Sequence, residues 1–254
     1  MHKTAIVSNN VQLGENISIG AYSIIENNVT IGDNTHIKEH VVIKENTQIG
    51  KDCNIFQGAV LGEIPQDLKF ENEHSILIIG NNTTIREYVT INRGTKDRQE
   101  TTIGNNILIM AYVHVGHDTK IDDNVIIANS VQIGGHVEIN QNAIIGGSTP
   151  IHQFSKIGAF SIIGGGLRIV QDIPPYIIAA GEPLKFSGIN SIGLRRNNFK
   201  IEDRKIIKQA YKYIYKSGLN RSEAIKKIEY NFSNKKLAQS IVSFIKSSNR
   251  GIIS

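Results

Sequence analysis

A six-residue period runs through most of this chain and limits what it can fold into more tightly than any other feature. From Val7, stepping by six, the series reads Leu13, Ile19, Ile25, Ile31, Ile37, Ile43, Ile49, Ile55 and Leu61. It returns at Ile79, Ile85 and Ile91, then runs in phase from Ile103 to Ile169. Of the 28 slots between Val7 and Ile169, 25 hold Ile, Leu or Val, and the failures are Asp67, Glu73 and Asp97. Hydrophobic residues of all types make up only 40% of the chain, so composition alone does not generate the series.

A period of six suits neither a helix nor an ordinary alternating strand. It suits short parallel strands that turn a corner at each repeat, which makes the fold class mainly β, a left-handed parallel β-helix. Small or β-branched residues stand two places before the slots, as at Val11, Ile17, Val29, Thr35, Val41, Cys53, Val113 and Thr119. Alternation along a strand turns both sets inward. Cys53 is therefore a packed thiol, and a single cysteine fits a reducing compartment. Gly commonly follows the slot, where a corner begins, and Asn recurs three places past it (Asn10, Asn16, Asn28, Asn34, Asn46, Asn82, Asn106, Asn124, Asn142). Asn there suits a corner residue at positive φ.

Three strands close one coil of about 18 residues, so residues 18 apart stack. The β-helix is expected over residues 1–176, with the failed slots marking ejected loops at about 62–78 and 92–102. Loops on a rigid solenoid commonly carry binding residues, although tolerated insertion is the plainer reading. Residues 177–194 read as a connector after the prolines of Gln171-Asp-Ile-Pro-Pro-Tyr176. Residues 195–254 read as a helical domain: Ile207, Ala210, Tyr211, Ile214 and Tyr215 share one face, and Gly218 is a stop. Ala224, Ile225 and Ile228 suggest a second helix with Ser222 as N-cap, and Leu237, Ile241, Phe244 and Ile245 a third. This segment holds fifteen Lys/Arg against four Asp/Glu, a net +11, leaving 13 basic against 19 acidic residues, −6, elsewhere. Its basic face is either simply solvated or a docking surface for an acidic protein, and no nucleic-acid partner is expected. With no leader and no run of about 18 apolar residues, neither export nor a transmembrane segment is expected, and the location is cytoplasmic.

Four of the eight histidines, His114, His117, His136 and His152, fall between Ile109 and Gln153. Adding 18 to His117 gives Gly135 and then Gln153; the neighbouring row is Asp118, His136 and Phe154. His114 lies between inward Val113 and Val115 and so points out of the prism. The four should gather on one side of coils spaced ~4.8 Å apart. His2, His36, His40 and His74 read as ordinary surface histidines. Histidine suits proton transfer near neutral pH, and an unshielded glycine N–H can hold a developing oxyanion, so the parts suggest acyl transfer. Zinc bound by His114, His117 and His136 is the rival reading at this point.

Several motifs together, Gly62-Glu-Ile-Pro-Gln-Asp-Leu-Lys-Phe70, Ile85-Arg-Glu-Tyr-Val-Thr-Ile-Asn-Arg-Gly-Thr95, His114-Val-Gly-His-Asp118, Gly134-Gly-His136, Ile151-His-Gln-Phe154 and Gln171-Asp-Ile-Pro-Pro-Tyr176, make the whole chain resemble the acyl-ACP–UDP-N-acetylglucosamine O-acyltransferase family. The resemblance implies transfer of a 3-hydroxyacyl chain from acyl carrier protein to the 3-hydroxyl of UDP-N-acetylglucosamine (UDP-GlcNAc), the first step of lipid A biosynthesis. It implies His117 as general base, Asp118 as its assistant and the Gly135 amide as oxyanion donor. It also implies sugar-nucleotide contacts at Asp67, Lys69, His114, His136, His152, Gln153, Asn190 and Arg196, and Gly165 where acyl length is measured. It implies no metal and no cofactor beyond the phosphopantetheine of the carrier protein, and a homotrimer with active sites between subunits. The chain departs from some relatives at Pro183, Ile192 and Asn197. Three rivals remain at this stage. A later N-acyltransferase of the same pathway would need a separate N-terminal domain, while the repeat here starts at Val7. The others are a γ-type carbonic anhydrase, which requires zinc, and an inactive solenoid scaffold.

Overall fold

The computed structural model describes residues 1–254. Short strands from Ile6–Val7 to Ile162–Ile163 wind into a left-handed β-helix in which every third strand pairs in parallel, forming three sheets. The pairing register is the repeat arithmetic made visible: Ile25 lies against Ile43, Val115 against Ile133 and Ile127 against Ile145. The slot residues from Ile19 onward fill the prism interior, and the residues two places earlier, such as Val29, Val41, Cys53 and Val113, are buried beside them. Each buried aliphatic side chain contributes about 1.5–3 kcal/mol, so three per coil hold together strands too short to persist alone. The first coil is the exception. Val7, Val11 and Ile17 are only half-buried and Leu13 is exposed, because that coil has a neighbour on one side only.

The corners behave as the asparagines suggest. Eight of the asparagines three past the slot, Asn16, Asn28, Asn34, Asn46, Asn82, Asn106, Asn124 and Asn142, take φ between +54° and +62°; Asn10 does not. The glycines that follow the slots have a different reason. A Cβ on Gly32 would sit 2.7 Å from the Gly50 carbonyl carbon, so it is the close approach of adjacent coils that excludes a side chain.

The ejected loops are shorter than expected. Ile55 pairs with Ile85 and Ile85 with Ile109, so the coils lengthen at these two places while the phase is kept. Strands Val60–Glu63 and Ile76–Ile79 bound the first loop, and Thr90–Asn92 and Glu100–Ile103 bound the second. The edges of both expected loops lie in sheets because Leu77 and Thr101 pair in register and turn inward like any residue two before a slot. Both loops leave the prism between the first sheet and the second.

Residues 177–194 are not a connector. Strand Ile177–Ala180 pairs in parallel with Ile162–Ile163 and antiparallel with Lys185–Ile189, extending the third sheet. Alternation of buried Ile177 and Ala179 with Ile178 and Ala180 is what builds the strand once the prolines are passed. Helix α1 (Ser191–Arg196) follows, then α2 (Ile201–Tyr215), α3 (Arg221–Asn231) and α4 (Lys236–Ser247). Ser222 lies inside α3. The cap is Asn220, whose side chain accepts from the Glu223 N–H while the Glu223 carboxylate accepts from the Asn220 N–H. The helices close over the end of the prism through Ile207, Tyr211, Ile228, Ile241 and Ile245, and the C-terminal Ile252 and Ile253 return to bury against it.

Candidate active site

The edge between the first and second sheets collects nearly every residue singled out above. His117 opens the turn after strand His114–Val115 and Asp118 follows at φ +57°; one coil on, His136 holds φ +60°. The rows stack as counted: the His136 N–H donates to the His117 carbonyl at 2.9 Å, and the Phe154 N–H to the Gly135 carbonyl at 3.1 Å.

His117 and Asp118 form a hydrogen-bonded pair, with His117 Nδ1 2.7 Å from Asp118 Oδ2. Asp118 is fully buried. Burial works to raise its carboxyl pKa, but hydrogen bonds from His117 and Thr95, with His136 close by, overcome this and hold it at about 2. An ionised carboxylate only accepts, so Nδ1 carries the proton and Nε2 is left as the acceptor. Two further acceptor positions of Asp118 are filled from the 93–99 loop: the Thr95 hydroxyl donates to Oδ2 at 2.7 Å and the Thr95 N–H to Oδ1 at 3.0 Å. The Arg98 N–H adds a contact to Oδ1 at 3.2 Å.

The other face of the imidazole lies against Gly135, where a Cβ would be 2.7 Å from both Cε1 and Nε2. The Gly135 N–H has no acceptor within the chain. At the corners between the second and third sheets the N–H groups of Glu15, Lys51, Asn81 and Asn105 each donate, at 2.7–2.9 Å, to an Asn or Asp side chain one coil on, whereas on the His117 edge the N–H groups of His117 and Gln153, like that of Gly135, have no acceptor within the chain. Gly135 lacks that partner and faces a cleft of about 380 Å³ lined by Gln66, Asn92, His114, His117 and Gln132. An open donor beside an open base is what acyl transfer requires.

The remaining histidines are not alike. His114 turns out of the prism into the same cleft, its Nδ1 2.8 Å from Thr90 Oγ1; burial and the nearby His117 both push its pKa down. His136 stands edge-on to His117 at 5.1 Å and stacks on Phe154 at 4.4 Å. Burial lowers its pKa against the opposing pull of Asp118, whose Oδ2 is 3.6 Å from His136 Nε2. His152 lies further along the edge, bonded to the Gln153 carbonyl at 3.0 Å, outside the cleft of this one chain. Ligand atoms of His117, Asp118 and His136 all lie within 4.8 Å of one another. Yet the 2.7 Å between His117 Nδ1 and Asp118 Oδ2 is a hydrogen-bond length, whereas two ligands of one tetrahedral zinc stand roughly 3.4 Å apart. The three groups fit a hydrogen-bonded histidine–carboxylate pair better than an ion site.

The other expected contacts are more scattered. In the 64–75 loop the Lys69 N–H donates to Asp67 Oδ1 at 3.0 Å, and Gln66 rather than either residue reaches the cleft. Gln153 is exposed beside Gly134, and Arg196 is exposed in the last turn of α1. Asn190 is buried and committed: its Oδ1 caps α1 from the Gly193 N–H and its Nδ2 donates to the Phe160 carbonyl, both at 2.9 Å. Gly165 sits on a different edge, between the third sheet and the first, next to Gly147. Thr95 and Asn92 were not singled out from sequence. The failed slot at Asp97 was the available signal, since phase counting puts that loop on the His117 edge.

A mainly-β hexapeptide prism with a histidine, a buried carboxylate and an open glycine N–H on one edge defines a hexapeptide-repeat acyltransferase. Residues 10–45 and 100–135 match the bacterial transferase hexapeptide family (six repeats), and residues 172–253 match domain 2 of UDP-N-acetylglucosamine O-acyltransferase. The chain is 61% identical over 253 residues to the acyl-[acyl-carrier-protein]–UDP-N-acetylglucosamine O-acyltransferase of Aquifex aeolicus (strain VF5), covering 99% of this chain and 97% of that one. It is 57% identical to the enzyme of the same name from Sulfurihydrogenibium sp. (strain YO3AOP1), over 99% and 93% of the two chains. The solved UDP-N-acetylglucosamine acyltransferase of Bacteroides fragilis 9343 superposes with a TM-score of 0.98 at 46% identity, covering 100% of both chains. This chain belongs to the acyl-ACP–UDP-N-acetylglucosamine O-acyltransferase family and is an acyltransferase.

Proposed function

We propose that the chain moves a 3-hydroxyacyl group from acyl carrier protein to the 3-hydroxyl of UDP-GlcNAc, the opening step of lipid A biosynthesis, with His117 as general base. The observation that carries this reading is the His117–Asp118 pair lying against a Gly135 N–H without an internal acceptor. His117 Nε2 takes the proton from the sugar hydroxyl as that oxygen attacks the thioester carbonyl. The resulting oxyanion accepts from the Gly135 N–H. Collapse breaks the carbon–sulfur bond, and the phosphopantetheine thiolate takes the proton back from His117. Asp118 remains ionised throughout, orienting the ring and stabilising its charged form. No step calls on a metal or cofactor.

Asp67, Lys69, His114, His136, His152 and Gln153 share the edge with His117 and take the sugar nucleotide, with Arg196 at its phosphate end on the helix that Asn190 caps. The active enzyme is a homotrimer. Gly165 lies on another edge of the prism, so one chain cannot join it to His117 in a single groove, whereas a second copy can bring the two edges together. The basic α2–α4 surface steers the acidic carrier protein. No helix is long and apolar enough to cross a membrane, and both substrates are those of a cytoplasmic enzyme.

Incubating purified protein with 3-hydroxyacyl-ACPs of several lengths and UDP-GlcNAc, and identifying the product by mass, tests the reading. His117→Ala should lower turnover by roughly 10²- to 10⁴-fold while β-sheet circular dichroism is kept, since His117 lies outside the aliphatic ladder. Absence of transfer to any UDP-sugar, or full activity in His117→Ala, would sink it.

A further inference from the structure

We propose that Thr95 is a positioning residue for the acyl transfer, the group that commits the Asp118 carboxylate to His117 rather than to His136. The inference rests on the general-base reading above. Asp118 Oδ2 has two histidines within reach: His117 Nδ1 at 2.7 Å and His136 Nε2 at 3.6 Å. The two backbone donors that hold the carboxylate, Thr95 N–H and Arg98 N–H, both bind Oδ1. They leave Oδ2 free to swing about that anchor. The Thr95 hydroxyl, 2.7 Å from Oδ2, is the one donor on that oxygen other than the two histidines and fixes the plane of the carboxylate. Asp118 is fully buried and Thr95 is 6% exposed, so water does not replace the hydroxyl.

Thr95 is itself held from two directions. The Gln99 N–H donates to its carbonyl at 2.7 Å, closing the turn. On the other side the loop is tied to the loop bearing Asp67 and Lys69. Asn92 Nδ2 donates to the Ile64 carbonyl at 2.7 Å, the Arg93 N–H to the Glu63 carbonyl at 3.0 Å and the Lys96 N–H to Glu73 Oε1 at 3.0 Å. The Arg93 guanidinium also lies over the Phe70 ring at 5.8 Å. The two ejected loops are one interlocked unit, and Thr95 is the point at which that unit touches the base.

Thr95→Val keeps the shape and removes the hydroxyl; Thr95→Ser keeps the hydroxyl. In Thr95→Val, kcat should fall roughly 10- to 100-fold with KM for UDP-GlcNAc unchanged, the scale of losing one hydrogen bond to a buried charge. Thr95→Ser should recover kcat to within about threefold. Nitrogen-15 NMR of the histidines should show His117 as the Nδ1–H tautomer in the wild type and Thr95→Ser, and a mixture in Thr95→Val. Thr95→Ala carries the same readouts should Thr95→Val not fold. A wild-type kcat and tautomer in the hydroxyl-free variant, beside an inactive His117→Ala, would overturn the Thr95 proposal alone. Equal impairment of the Val and Ser variants would make Thr95 merely structural and overturn it too. Turnover retained in His117→Ala would overturn the base assignment itself, whatever Thr95 does.

Discussion

Gly135→Ala offers the sharpest probe of how His117, the proposed base, is held. The added Cβ would lie 2.7 Å from both Cε1 and Nε2 of His117, where ordinary contact begins at 3.4 Å. Gly135 has no left-handed backbone angle, so alanine is acceptable to the chain and the clash falls on the imidazole. That ring cannot simply retreat: Nδ1 is bound to Asp118 at 2.7 Å and the His136 ring stands 5.1 Å away. It has to slide or tilt by about 0.7 Å, and a displacement near 1 Å from reacting geometry costs about 10²-fold in rate. We expect kcat/KM to fall roughly 10- to 100-fold, or ~1.4–2.7 kcal/mol in the barrier. The N–H of residue 135 survives the substitution, so the loss reports on the proposed base and not on the proposed oxyanion donor. Thermal stability should change by about 1 kcal/mol or less, because reduced freedom of the unfolded chain offsets part of the strain. Rates come from product mass with acyl-ACP and UDP-GlcNAc, and a crystal structure of the variant shows the ring. Activity within about twofold of wild type, with the His117–Asp118 bond unmoved, would refute the packing argument.

Two further expectations follow from the same edge and its neighbour. Asp118 has a folded pKa of about 2 against an ordinary 3.8, so its stabilisation is present above the ordinary value and lost as pH falls through about 2. The difference amounts to about 2 kcal/mol at neutral pH, and urea denaturation of wild type and Asp118→Asn should show the gap between them shrinking from about pH 5 to pH 2; a gap independent of pH would mean that Asp118 is not held as a stabilised anion. At Gly165 a Cβ would come 3.0 Å from the Gly147 carbonyl oxygen, so a long side chain there is forced outward from the edge. Gly165→Met should shorten the longest 3-hydroxyacyl chain accepted with KM for UDP-GlcNAc unchanged, and an unaltered chain-length profile would remove Gly165 from the measuring site.

Much of the fold was legible because a hexapeptide solenoid converts sequence position directly into place. Once one slot is known, each later residue has an assigned place in the repeat, and the six-residue phase survived both ejected loops, although the 18-residue stacking did not: Ile55 meets Ile85 and Ile85 meets Ile109. Legibility failed where the period stopped carrying information. The Ile177–Ala180 and Lys185–Ile189 strands follow a proline pair and a shift to antiparallel pairing, and neither is announced by six-residue spacing. Asn220 outcompeted Ser222 as a cap because Glu223 stands three residues after it, completing a reciprocal pair of bonds that Ser222 cannot make.

The site divides along the same line. His117, Gly135 and Asp118 were placed by counting, since their positions belong to the ladder. Thr95 was not, because it sits in a loop whose failed slot marks where the chain departs but not where it comes back. The excursion is short, leaving and rejoining the prism at the His117 edge, so its hydroxyl can fall only within reach of that edge. The chemistry explains why it is needed there. A corner residue at φ +57° points its carboxylate away from the prism interior, beyond the reach of the aliphatic ladder that fixes everything else. Holding such a group still takes donors from outside the ladder, and the ladder can admit them only by breaking its own period. The lapse at Asp97 is therefore the cost of a fixed Asp118.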